Sequence, residues 1–107
     1  MMQNAYLKLL NDRLALHLND DIGLMENWKE QTNLLSSNIG DSISFILNDI
    51  TDDQFVWMSE VFEDVAEQSQ SQDFVDAIRA RALRIKSKED RESVLSEVEY
   101  ASNRLLT

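Results

Sequence analysis

Residues 51–68 read Thr51-Asp52-Asp53-Gln54-Phe55-Val56-Trp57-Met58-Ser59-Glu60-Val61-Phe62-Glu63-Asp64-Val65-Ala66-Glu67-Gln68, and the fold class follows from this stretch. Thr51 with Gln54 three places on is a capping box, in which each side chain satisfies a backbone N–H that a helix start leaves open. Asp52 and Asp53 place negative charge in the first turn, where the helix dipole favours it. Phe55, Met58, Phe62 and Val65 then recur at i, i+3, i+7 and i+10, one apolar stripe of a helix. The spacing predicts a single helix from Asp52 to about Gln68, with one side ready for burial.

The same period continues toward the C-terminus. Ser69-Gln70-Ser71 breaks the pattern, and Ser71 is placed to cap a helix carrying Phe74, Ile78, Ala82 and Ile85. Ser87 with Asp90 repeats the capping pattern ahead of Val94, Val98, Ala101 and Leu105. Toward the N-terminus, Leu7, Leu10, Leu14 and Leu18 form a stripe that Asn19-Asp20-Asp21 ends. Ile22 to Leu35 predicts a helix with Leu24, Met25, Trp28 and Leu35 on one broad side. Ser36-Ser37-Asn38-Ile39-Gly40 reads as a loop. Asp41 or Ser42 would then cap a short helix with Ile43, Ile46, Leu47 and Ile50. No β-type alternation is sustained, and the chain of 107 residues has no proline. The expectation is an all-α, compact bundle of five or six helices, one helical domain over 1–107, burying roughly 65% of the unfolded chain's surface.

Composition excludes most chemistry. There is no cysteine and a single histidine, His17, so thiolate zinc sites, cysteine nucleophiles and multi-imidazole metal sites are out. Two glycines leave no phosphate-cradling loop. Asp49 to Asp53 lacks the glycine an EF-hand needs at its sixth position, so Glu60 at the twelfth does not make one. Paired carboxylates such as Glu60 with Asp64 lie on an exposed stripe with nothing to shift their pKa toward acid–base work. No cofactor, metal or enzymatic activity is expected. His17 reads as a partly buried packing residue, Trp28 as core and Tyr100 as a secondary interface candidate.

Charge is the remaining signal. Ten Lys and Arg stand against twenty Asp and Glu, net −10. That balance disfavours nucleic acid and anionic membranes and favours a partner with a basic surface. Between Asp49 and Ile78 there are nine acidic residues and no basic one, and then six basic residues fall between Arg79 and Arg91. At about 100° per residue, Asp53, Glu60, Asp64, Glu67 and Glu63 share one side of the helix over 52–68, opposite the apolar stripe. Val56 and Trp57 fall inside that acidic face. Apolar anchors ringed by charge are the anatomy of a protein interface. The candidate partner-binding residues are therefore Asp53, Val56, Trp57, Glu60, Glu63, Asp64 and Glu67. Two bland alternatives stand beside this: Trp57 packed under a neighbouring helix, and the acidic face neutralised by the basic cluster at 79–91. With no apolar run long enough to span a bilayer and no targeting segment, a cytoplasmic protein is expected.

The stretch 51–64, with Ser69 to Phe74 and the final helix through Tyr100 and Ala101, resembles small acidic immunity proteins of bacterial polymorphic toxin systems, including contact-dependent growth inhibition. The likeness covers roughly residues 51 to 106. It implies tight binding of one cognate toxin domain, commonly a nuclease, in the cytoplasm of the producing cell. Other classes fit the same charge pattern. One is an acidic decoy that mimics nucleic acid and inhibits a defence nuclease. Another is a helical adaptor that self-associates, acidic stretch against basic cluster.

Overall fold

The chain is described by a computed structural model covering residues 2–17 and 19–106. Every regular element in that range is helical. In chain order they are α1 (Met2–Leu14), α2 (Asp21–Ser37), α3 (Ile39–Asn48), α4 (Asp52–Met58), a short 3-10 turn (Ser59–Val61), α5 (Phe62–Ser69), α6 (Gln72–Ala82) and α7 (Lys88–Ser102). Counting Asp52–Ser69 as one kinked helix, the all-α bundle has six. α5 lies between α2 and α7, α6 packs on α3 and α7, and α1 rests on α2 and α3.

The capping box is formed in full. Thr51 Oγ1 accepts from Gln54 N at 3.2 Å, and Thr51 N donates to Gln54 Oε1 at 3.1 Å. Phe55, Met58, Phe62 and Val65 are all fully buried, as the stripe requires. Phe62 sits between Phe55 and Phe74, with ring centroids 5.2 and 6.3 Å away, the second pair edge-on. Ser71 and Ser87 cap α6 and α7 through Phe74 N and Asp90 N. α6 and α7 bury the residues their stripes name, Leu105 only partly.

The helix over 52–68 is not continuous. The tighter turn at Ser59–Val61 breaks it, with Val61 at φ −113°, ψ 7°. A 3-10 turn advances the chain by a different angle per residue. Val61 and Phe62, adjacent in sequence, are both fully buried at the break. At the end of α5, Gln70 adopts a left-handed backbone with φ 52°, a conformation that costs a non-glycine residue about 1–2 kcal/mol. Its side chain fixes that geometry by donating to Glu67 O and Arg104 O and accepting from Leu106 N.

The first fifty residues depart further from the expected faces. α1 buries Tyr6 and Leu10, while Leu14 is exposed; Leu18 lies outside the described residues. Residues 36 and 37 continue α2, and only Asn38 separates it from α3. Ser42 is therefore no cap. It is fully buried, and its hydroxyl donates to Leu35 O at 3.0 Å, a carbonyl left open where α2 ends. α3 buries Ser42, Phe45 and Ile46, a face turned by one residue from the expected Ile43/Ile46/Leu47 stripe. Most unlike its sequence pattern is α2. It buries Asn27, Gln31, Thr32 and Leu35, and leaves Ile22 74% and Met25 66% exposed. A polar ladder replaces the expected apolar contact: Asn27 Nδ2 donates to Leu9 O, and Gln31 Nε2 to Asn27 Oδ1.

Candidate functional site

The acidic side of α4 and α5 is divided by the kink into two groups with different neighbours. On α4, Asp53 is exposed and makes no ion pair among the described residues. One turn on, Trp57 keeps 36% of its surface, and the Arg13 guanidinium lies 5.2 Å from its ring centroid. Trp57 is thus neither sealed in the core nor bare. Val56 is half-buried and packs against the core, which leaves it little to offer as an anchor.

Glu60, on the turn, is already engaged. Arg13 donates to both of its oxygens at 2.9 Å, and the Trp28 indole Nε1–H donates to Oε1 at 3.2 Å. A bidentate guanidinium–carboxylate pair is geometrically fixed, so Glu60 ties α1 and α2 to the kink. Its charge also reaches the core: burial first, and Glu60 second, push the Tyr6 hydroxyl far above the ordinary phenol range.

On α5, Arg104 donates to Glu63 Oε2 at 3.0 Å and stands 3.6 Å from Glu67. Asp64, between them, makes no ion pair among the described residues. Partial desolvation, then the like charges of Glu63 and Glu67, hold its pKa above the ordinary aspartate value, with Arg104 opposing. Glu97 of α7 is raised for the same kind of reason, burial first and then Glu63. Asp64 and Glu67 also line an open groove of about 580 Å³ between α2 and α5. Met25, Trp28 and Lys29 line its α2 side. Gln68 Nε2 donates to Asn33 Oδ1 at 3.1 Å, bridging the two helices within the groove.

The basic cluster at 79–91 does not neutralise this flank. Among the described residues, Arg81 is the one side chain of the cluster that forms an ion pair with the acids of α4 and α5, pairing with Asp52 at 2.6 Å and donating to Ile50 O. The Lys86 backbone N–H and Arg81 together hold Asp52 below the ordinary aspartate value. Arg84 and Arg91 are spent on the carbonyls of Leu47 and Ile85. Arg79 pairs with Asp76 and Glu99. The cations that meet the acidic flank come from distant sequence, Arg13 and Arg104.

Four further residues differ from or add to the sequence reading. His17 is exposed, not packed, because α1 ends before it. Tyr100 is exposed on α7. Ile22 and Met25, absent from the sequence candidates, are bare apolar surface beside the groove. A signal for them existed: Ile22, Met25 and the stem of Lys29 recur at i, i+3, i+7, a second stripe on a helix that can bury only one.

The flank is a set of carboxylate acceptors around apolar and aromatic surface. It can accept hydrogen bonds and pair with cations. Among the described residues, no group of three or more acidic or imidazole side chains is placed to hold a metal, and no helix is long and apolar enough to cross a membrane. No known protein family matches the chain, and neither does any curated protein or solved structure.

Proposed function

We propose that the protein is a non-enzymatic immunity protein that binds and neutralises a cognate toxin domain, a nuclease with a basic surface, in the cytoplasm. The α4–α5 flank docks on that cationic surface. One observation carries this: among the described residues Asp53 and Asp64 form no ion pair, although the chain has ten lysines and arginines, and they stand on the same flank as the part-exposed Trp57. Unrelieved like charge on a folded surface is a standing cost that a basic partner removes, and it steers that partner in. The net charge of −10 argues against nucleic acid and anionic lipid as partners.

The internal engagement of Glu60 makes it a poor test residue. The informative variant is Asp53→Lys/Asp64→Lys, titrated against the product of the neighbouring gene, where an immunity role would place the toxin. The association rate should fall roughly tenfold or more at low salt, with the difference shrinking as salt rises. Trp57→Ala should cost about 2 kcal/mol of affinity if Trp57 sits at the centre of the contact. Unchanged rate and affinity for the charge-reversed variant overturn the proposal.

A further inference from the structure

We infer that the groove between α2 and α5 is the seat for an arginine side chain of the basic partner, with Trp28 and Met25 as its apolar wall and Asp64 and Glu67 as its counter-charge. For the identity of the partner this rests on the docking proposed above. The groove's own chemistry is independent of it.

The fold supplies its own precedent. Twice it sets an aromatic ring beside a carboxylate, and each time one of its own arginines fills the gap. Arg13 lies over Trp57 and binds Glu60 through two nitrogens. Arg81 lies 5.4 Å from the Phe55 ring centroid and pairs with Asp52. The groove repeats the composition a third time, with Trp28 on α2 and Asp64 and Glu67 on α5. Among the described residues no arginine lines it. Arg104 meets Glu67 through an exposed pair and acts on Asp64 only at longer range, and Asp64 forms no ion pair among the described residues. The Trp28 Nε1–H is committed to Glu60, so carbon surface is what the indole presents to the groove.

A guanidinium suits such a place better than an ammonium. It is planar, stacks on rings, is more weakly hydrated, and can bind a carboxylate through two nitrogens. Lys29 also lines the groove and has no carboxylate within ion-pair distance among the described residues. Its ammonium would compete with an incoming cation.

The test is a ¹⁵N NMR titration of the whole chain with a hexa-arginine peptide and, in parallel, a hexa-lysine peptide. The chain has only two tryptophans, so Trp57→Phe identifies the Trp28 indole signal. With hexa-arginine, the Trp28 indole N–H and the amides of Asp64 and Gln68 should shift saturably and more than Trp57. Hexa-lysine should bind several-fold more weakly. Asp64→Asn should weaken hexa-arginine binding roughly fivefold. Lys29→Ala, a change at an exposed side chain, should tighten it about twofold. Shifts spread evenly over all acidic surfaces, equal binding of the two peptides, or indifference to both substitutions overturn the inference. The two proposals fail separately. Groove-localised hexa-arginine binding beside a toxin insensitive to Asp53→Lys/Asp64→Lys removes the docking proposal and leaves the groove an arginine seat for a different partner. Toxin binding lost in that variant, with no groove preference for the peptide, removes only this one.

Discussion

Residues 51–106 bury large apolar side chains at the positions their helical period names, whereas residues 2–50 bury a mixture in which polar side chains hold central places. Phe55, Phe62, Phe74 and Ile78 are fully buried in the first region. In the second, Gln31 and Ser42 are just as buried, and Ile22 and Met25 face outward. The difference follows from what each helix meets. α5 and α6 are flanked on several sides by other helices, so any wide apolar stripe finds a partner. α2 meets α1, α3 and α5, and where it lies on α1 it turns the Asn27 amide inward to donate to the Leu9 carbonyl. Both regions feed one core, to which the earlier one gives Tyr6, Leu35, Phe45 and Ile46, but there apolar burial is interleaved with hydrogen-bonded polar side chains whose net worth is smaller.

The largest expected effect sets the two regions against each other. Phe62→Ala should cost about 3–5 kcal/mol, the range for an emptied aromatic site in a core. Met25→Ala, at a side chain mostly in water, should stay within about 0.5 kcal/mol. Urea denaturation of the two variants measures this directly. If the penalties are comparable, the core does not lie where the burial pattern puts it.

An intermediate effect concerns the polar ladder of α2. Asn27→Ala strands the buried Gln31 amide and removes a second donor from the Leu9 carbonyl, and should cost about 1–3 kcal/mol. The double change Asn27→Leu/Gln31→Leu removes donor and acceptor together, so its cost should be clearly less than that of Asn27→Ala. Gln31 Oε1 already lacks a protein partner, so losing it carries no penalty. If the double variant is instead the worse of the two, the ladder is needed to set the register of α1 against α2.

These cases show why the sequence spoke clearly in one place and not in the other. Thr51 with Gln54, and the Phe55-to-Val65 stripe, are local signals, and a cap or an amphipathic face forms wherever it stands. The kink at Ser59–Val61, the burial of Gln31 and the one-residue turn of α3 depend on which neighbour arrives, and that information sits far away in the chain. The candidate site divides in the same way. The exposure of Asp53 and Asp64 follows from their own helices. The occupation of Glu60 does not, because Arg13 lies 47 residues away in sequence. Helical projection put Glu60 and Asp64 on one face, and pairing with distant arginines then gave them different roles. Arg104 takes up Glu63 in the same way.

The smallest expected effect sharpens the contrast between two aspartates of the flank. Asp52 has its pKa lowered, so ionised Asp52 stabilises the fold above the unfolded value of 3.8, and that support is lost as pH falls through the folded value. Asp64 has the opposite sign. Its folded pKa lies above 3.8, so between the two values the folded chain holds the proton more tightly than the unfolded one. Stability from this group falls as pH rises through that window, and the deficit persists at neutral pH. Asp64→Asn cannot ionise and escapes the deficit. It should be more stable than the parent at pH 7 by about 0.3 kcal/mol, the scale of one like-charge contact on a helix. The gain should vanish below about pH 3, where the parent carboxyl is protonated too. Paired thermal melts at the two pH values read the difference. A loss of stability at pH 7 would mean that Asp64 already holds a cation of its own, with Lys29, which lines the same groove, as the candidate. The flank would then have one unrelieved carboxylate fewer, and the seat between α2 and α5 would be taken.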